Sequence, residues 1–150
     1  MNSDFRDLLK CFAKHKVRYL VVGGYAVIHY TQPPFTKDLD VWLDPTVSNA
    51  RRSAAAMKEF GVPLIEITEA DLAQEGTQFV IGRSPVMIDF LTSIPPLKFA
   101  ECWSRRKTSR QDDFSMHYLG LEDLTTAKRY AGRQIDLADL EEISRTNPSL

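Results

Sequence analysis

Two apolar runs that carry aspartates restrict this chain more than any other feature. In the segment from Asp38 to Asp44 the residues alternate strictly. Asp38, Asp40 and Trp42 fall on one face, Leu39, Val41 and Leu43 on the other. A period of two is the mark of a β-strand. The run from Val86 to Leu91 reads as a fully buried strand, yet Asp89 lies inside it. An ionised carboxylate in that position is costly without a partner or a metal. Asp38 and Asp40, two apart on a strand, have Cα atoms about 7 Å apart on one face. If the two strands are neighbours, three carboxylates share one small volume. Like charges at roughly 4 Å repel by about 4 kcal/mol at intermediate dielectric, so the cluster calls for cations. Hard divalent ions fit such oxygen ligands, and Mg²⁺ commonly combines a few carboxylates with substrate phosphates. A pair of such ions would activate an attacking hydroxyl and stabilise a leaving pyrophosphate.

The rest of the chain supplies a scaffold of ordinary globular character. It has 150 residues, 43% of them hydrophobic and 26% charged, enough for one domain with its own core. The expected division is a core over about residues 1–95 and a C-terminal helical segment over about 96–150. Nineteen basic residues face twenty acidic ones, so a broad polyanion-binding surface is not implied, and a plain RNA-binding domain is disfavoured. Cys11 and Cys102 have no partner at metal-ligand spacing and read as reduced thiols. The first residues mix charge into an amphipathic pattern, and no apolar run is long enough to span a bilayer. A cytoplasmic protein is expected.

Phe5, Leu8, Leu9 and Phe12 predict an amphipathic helix over 3–16. Residues 18–22 predict a buried strand, Gly23-Gly24 a turn, and 25–30 a short helix ended by Gln32-Pro33-Pro34. Asp44 as cap and Pro45 at the first position predict a helix to about Glu59. Further expectations are a short strand at 62–67, a helical turn at 69–75, and strands at 77–82 and 86–92 around a turn at 82–85. Residues 96–110 read as a helix followed by a basic loop, 115–119 as an edge strand. The tail predicts helices at 121–131 and 136–145, the second capped by Asp136 with Leu137, Leu140 and Ile143 inward. The order implies an α+β (mixed α/β) domain with a short mixed sheet, flanking helices and a helical tail.

Gly23-Gly24 follows a strand and opens a helix, so its N–H groups and the helix dipole suit phosphate binding. With that turn the pattern resembles a known family. The stretch Val21-Val22-Gly23-Gly24, a thirteen-residue spacer from Tyr25 to Lys37, and Asp38-Leu39-Asp40-Val41 are similar to the signature of the polymerase-beta nucleotidyltransferase superfamily. Thr36-Lys37 before the acids and Asp89 on a later strand extend the likeness. The tail over 124–143 resembles small bacterial members, including toxin-type nucleotidyltransferases of abortive-infection systems.

The resemblance implies an enzyme that moves a nucleoside monophosphate from a nucleoside triphosphate such as ATP to an RNA or protein hydroxyl. Asp38, Asp40 and Asp89 would be both the catalytic residues and the ligands of two Mg²⁺ ions. Gly23, Gly24, Thr36, Lys37 and Lys128 would bind the triphosphate. Arg133, Asp136 and Asp139 would hold the helix pair together or line the cleft. A tRNA or other RNA, or a toxin or antitoxin partner protein, would be the acceptor or companion. Two alternatives stand beside this: a non-catalytic nucleotide-sensing or partner-binding module, and an antibiotic nucleotidyltransferase. The chain departs from the pattern at Pro34, where relatives often carry an arginine, and Lys37 or Arg83 is the replacement at hand.

Several residues have a plainer reading beside the functional one. Lys128 could be a solvated helix lysine. Arg105, Arg106, Lys107 and Arg110 read as an exposed loop or as RNA-phosphate contacts. Trp42 reads equally as a border of the base pocket or as core, and His15, His29 and His117 have no metal spacing.

Overall fold

A computed structural model describes residues 2–30, 38–62, 67–83 and 86–148. Thr36, Lys37, the Gln32-Pro33-Pro34 breaker and most of the strand expected at 62–67 lie outside them. The order is α1 (Ser3–Lys14), β1 (Tyr19–Val22), α2 (Gly23–Tyr30), β2 (Asp38–Leu43), α3 (Val47–Phe60), α4 (Glu69–Leu72), β3 (Gln78–Arg83), β4 (Val86–Leu91), α5 (Phe99–Ser104), β5 (Lys107–Arg110), β6 (Ser115–Tyr118), α6 (Leu121–Ala131) and α7 (Gln134–Thr146). One six-stranded mixed sheet runs β3-β4-β2-β1-β6-β5. The β2–β4 and β1–β6 pairs are parallel and the other three antiparallel. Among the described residues no helix is long and apolar enough to cross a membrane.

Strand alternation divides the central sheet into two faces. One bears Tyr19, Val21, Leu39, Val41 and Phe90, against which α1 packs: the Phe12 ring lies 5.4 Å from that of Tyr19 and 6.3 Å from that of Phe90. Phe5, Leu8, Leu9 and Phe12 are all fully buried, as their helical spacing predicts. Each such large apolar side chain contributes roughly 1.5–3 kcal/mol by leaving water. The second face bears Leu20, Val22, Trp42 and the acids. Trp42 is 1% exposed and meets Phe99 of α5 edge-on at 5.1 Å, so it belongs to the core and not to a base pocket.

The element ends correct several expectations. Thr46 caps α3, its hydroxyl accepting from the Asn49 N–H at 3.3 Å; the Asp44-Pro45 pair precedes the helix. Gly23 belongs to α2. The helix expected from residue 96 is only α5, because the next residues pair with β6. Arg105 is fixed by two 3.0 Å bonds to Asp123, and the Arg105 carbonyl lies where a Cβ on Gly120 would stand, at 2.8 Å. The basic loop is therefore strand β5. It takes the sheet edge, and β6, expected there, is internal. Residues after 95 thus add two strands as well as helices. In α7 the N-cap is Arg133, and Asp136 lies three residues into the helix. Asp136 and Ile143, seven apart, define the inner face; both are 1% exposed. Leu137 is turned about 100° from Asp136, and it is 55% exposed, contrary to expectation.

A fully buried asparagine ties the sheet together. Asn49 Oδ1 accepts from the Arg18 N–H at 2.7 Å, and Nδ2 donates to the carbonyls of Arg18 at 3.0 Å and Asp44 at 2.9 Å. It joins the start of β1 to the end of β2 and thereby holds their register. Asn49→Ala leaves the Arg18 N–H and the Asp44 carbonyl without a partner, each costing about 1–3 kcal/mol, while the Arg18 carbonyl keeps the Asp44 N–H at 3.2 Å. The expected outcome is a loss of about 3 kcal/mol in urea unfolding, with the slope on denaturant unchanged.

Candidate active site

The acids meet because β2 and β4 are parallel neighbours in a register that sets Asp40 directly beside Asp89. Adjacent strands put their Cα atoms about 4.8 Å apart with side chains on one face. Asp38, at the start of β2, is opposite Met87 and exposed. On its other side Asp40 is in register with Val22, which leads into Gly23. Gly23 has φ +64°, and a Cβ built on it would overlap the Asp40 carboxylate. Glycine is needed there twice, for the left-handed backbone and for the close approach. The Gly24 N–H donates to Asp40, so the N-terminal end of α2 holds this carboxylate in place.

Burial, then the charges of Asp89 and Asp38, push the Asp40 carboxyl up to about 6, against the pull of Lys128 and the Gly24 N–H. Asp89 is also raised, first by burial, while a hydrogen bond from Gln78 draws it down. Gln78 Nε2 donates to both Asp89 oxygens, at 3.1 and 3.3 Å. Its role was not legible in the sequence; a lone amide at the head of an apolar strand was the available signal.

Helices α6 and α7 form the opposite wall. The cleft between, of about 460 Å³, is lined by Gly23, Asp40, Gln78, Asp89, Lys128, Arg133 and Asp136, and by apolar groups including Val22, Leu91, Ile94, Leu124 and Tyr130. Asp38 stands outside it. Lys128 is no solvated lysine: its side chain is 12% exposed, with Nζ 2.8 Å from Asp139 Oδ2 and 3.4 Å from Asp136 Oδ1. Arg133 Nε lies 2.7 Å from Asp136 Oδ2, and this bond foremost holds the Asp136 carboxyl below the usual carboxylate range. Gly132, at φ +63°, makes the left-handed turn that brings α7 back alongside α6.

Three of the sequence-assigned phosphate ligands, Gly23, Gly24 and Lys128, are thus gathered around Asp40 and Asp89; Thr36 and Lys37 lie outside the described residues. Among the described residues no three His, Cys, Asp or Glu side chains are set to hold one metal ion. The converging set is the pair Asp40 and Asp89, with Asp38 to one side. Two neighbouring carboxylates, both with raised proton affinity, suit a hard cation whose remaining ligands come from phosphates and water. Arg105 is engaged by Asp123, and Arg106 lies over the Trp103 ring at 3.9 Å.

No family model and no curated protein matches the chain. Among solved structures it is similar to the lincosamide antibiotic adenylyltransferase LnuA in its lincomycin-bound crystal structure. The TM-score is 0.61 at 13% identity, over 96% of this chain and 96% of that one. At that identity the likeness is one of fold. The chain has the nucleotidyltransferase fold, a mixed six-stranded sheet flanked by helices.

The raised Asp40 also makes a statement about stability. Between pH 4 and about 6 the folded protein binds a proton that the unfolded chain has released, so stability falls as pH rises through that window. In metal-free buffer at pH 8, Asp40→Asn is expected to raise the melting midpoint, a gain of about 2–3 kcal/mol that disappears below about pH 4. Added Mg²⁺ should stabilise the wild type at pH 8 and leave the variant unmoved.

Proposed function

We propose that the chain is a magnesium-dependent nucleotidyltransferase that moves a nucleoside monophosphate from a nucleoside triphosphate to an acceptor hydroxyl. The observation that carries this reading is the Asp40–Asp89 pair, in register on β2 and β4, with Gly23-Gly24 against it and Lys128 across the cleft. Mg²⁺, when bound by Asp40 and Asp89 with Asp38 beside them, would neutralise the triphosphate and lower the pKa of the attacking hydroxyl.

The chain's own residues divide the remaining work. Asp89, raised by burial and held by Gln78, is placed to accept the proton of the acceptor hydroxyl. The acceptor oxygen then bonds to the α-phosphorus as its bond to the bridging oxygen of pyrophosphate breaks in line. Lys128 would offset charge on the leaving phosphates, its position set by Asp136 and Asp139. The apolar side of the cleft, Leu91, Ile94, Leu124 and Tyr130, suits the base or an acceptor of low polarity.

The resemblance in the tail favours an RNA or protein hydroxyl as acceptor, in a toxin–antitoxin or defence setting. A second reading follows from the fold likeness to an antibiotic adenylyltransferase, namely an antibiotic hydroxyl as acceptor. Incubation with Mg²⁺, each α-labelled nucleoside triphosphate, and either cell RNA with lysate proteins or lincomycin separates them. Label on a discrete macromolecule supports the first acceptor class and label on lincomycin the second. In either case Asp40→Asn should lower transfer by on the order of 10³-fold or more. Magnesium-dependent triphosphate binding with no transfer to any acceptor would instead favour a nucleotide-sensing module.

A further inference from the structure

A second cleft, of about 460 Å³, lies at the other end of β1 from the acids, between the end of α1, the start of β1, Trp103 of α5 and the β5–β6 hairpin. Lys16, Arg18 and Arg110 line it, and Arg106 adjoins it by covering Trp103. All four are without an ion pair among the described residues. The acid in the cleft, Asp113, is already matched by Lys10 at 2.6 Å and Arg6 at 3.8 Å. In a chain of net charge −1, four cations outside any ion pair around one hollow form a local positive field, Arg18 alone being partly offset by Asp44.

Their placement is specific. The Arg106 guanidinium lies 3.9 Å and that of Arg18 5.5 Å from the Trp103 ring centroid. Stacked on an aromatic face, a guanidinium loses less freedom on meeting a phosphate and presents its N–H groups edge-on. Arg106 Nη1 donates to the Trp103 carbonyl at 2.8 Å, which fixes its plane further, and its Nε is buried without a partner. Lys16 has φ 56°, a left-handed backbone where glycine would be at ease, so a cation occupies a position that disfavours it. Arg110, in register with Ser115, reaches the cleft from edge strand β5, whereas exposed Lys107, in register with Tyr118, lies on the other face of the sheet. Charges on an edge strand also discourage edge-to-edge association. That role accounts for Lys107 and Arg110 but not for Lys16, Arg18 and Arg106, which stand off the edge.

We propose that this groove binds the phosphate backbone of an RNA strand. Four cations drawn from two separate segments of the chain, 16–18 and 106–110, match phosphates spaced along a strand better than one compact triphosphate. The proposal concerns binding and does not rest on nucleotidyl transfer. The probe is a fluorescein-labelled oligouridylate of about 12 nucleotides, read by anisotropy with the full chain. Four phosphate contacts on a single strand predict a log–log salt slope of about −3, or about 50-fold weaker binding at 200 mM than at 50 mM salt.

The double variant Arg18→Glu/Arg110→Glu, at exposed positions, should weaken binding by more than about tenfold and flatten the slope. Arg129→Glu, an exposed cation on α6, should leave it unchanged. Circular dichroism and the melting midpoint check that each variant is folded. Three results would overturn the proposal. One is no salt-dependent binding at 50 mM salt, and another is equal binding by the folded double variant. The third is displacement of the oligonucleotide by ATP at equal phosphate concentration, which would make the groove a small-anion site.

Discussion

The parallel pairing of β2 with β4 is the constraint on which the rest depends. It places Asp40 and Asp89 side by side in the sheet, where burial and mutual repulsion both work against ionisation. Everything nearby answers that conflict. Gly23 omits the Cβ that would collide with Asp40, the Gly24 N–H donates to it, and Gln78 donates to Asp89. Without a cation the pair remains a strained feature, as sites shaped for chemistry often are. The site and the core compete for the same face of the sheet, and Trp42 settles the boundary by packing against Phe99 next to the acids.

The C-terminal helices solve a different problem, which is to hold a cation over an acidic floor without letting it collapse there. Lys128 is held by Asp139 and Asp136, and Asp136 is shared with Arg133 across the α6–α7 turn. A buried carboxylate with two cationic partners keeps its charge, and the lysine keeps a defined direction into the cleft. Asn49 does comparable work on the opposite face, where one side chain fixes the relative position of β1 and β2 through three short hydrogen bonds. The register that sets Val22 opposite Asp40, and hence Gly23 near its carboxylate, depends on that anchor.

Much of this was legible locally. Alternation through Asp38–Leu43 and the apolar run around Asp89 announced strands with misplaced charge, and Phe5, Leu8, Leu9 and Phe12 announced the inner face of α1. The errors came where a distant partner overrides a local preference. The Asp44-Pro45 pair looks like a helix start, but Thr46 and Asn49 make the cap because Asn49 must also reach Arg18. Lys107–Arg110 looks like a solvated loop, but its backbone pairs with β6 once Arg105 is clamped to Asp123. Leu137 looks inward by residue type, but the phase of α7 is set by Asp136, whose bonds to Arg133 and Lys128 outweigh one leucine.

The sequence by itself determined the alphabet of the molecule: its mixed α and β class, the acids on two strands, and the paired glycines ahead of them. Those follow from periodicity and residue chemistry over a few neighbours, which need no knowledge of the rest of the chain. Only the tertiary structure decided which strand lies beside which, and therefore that Asp89 and not Asp38 stands next to Asp40 in the cleft. It alone turned Lys128 into a held cation, Trp42 into core, and four scattered cations into one groove. Long-range pairing is set by burial and hydrogen bonding summed over the whole domain, and no short window of sequence contains that sum.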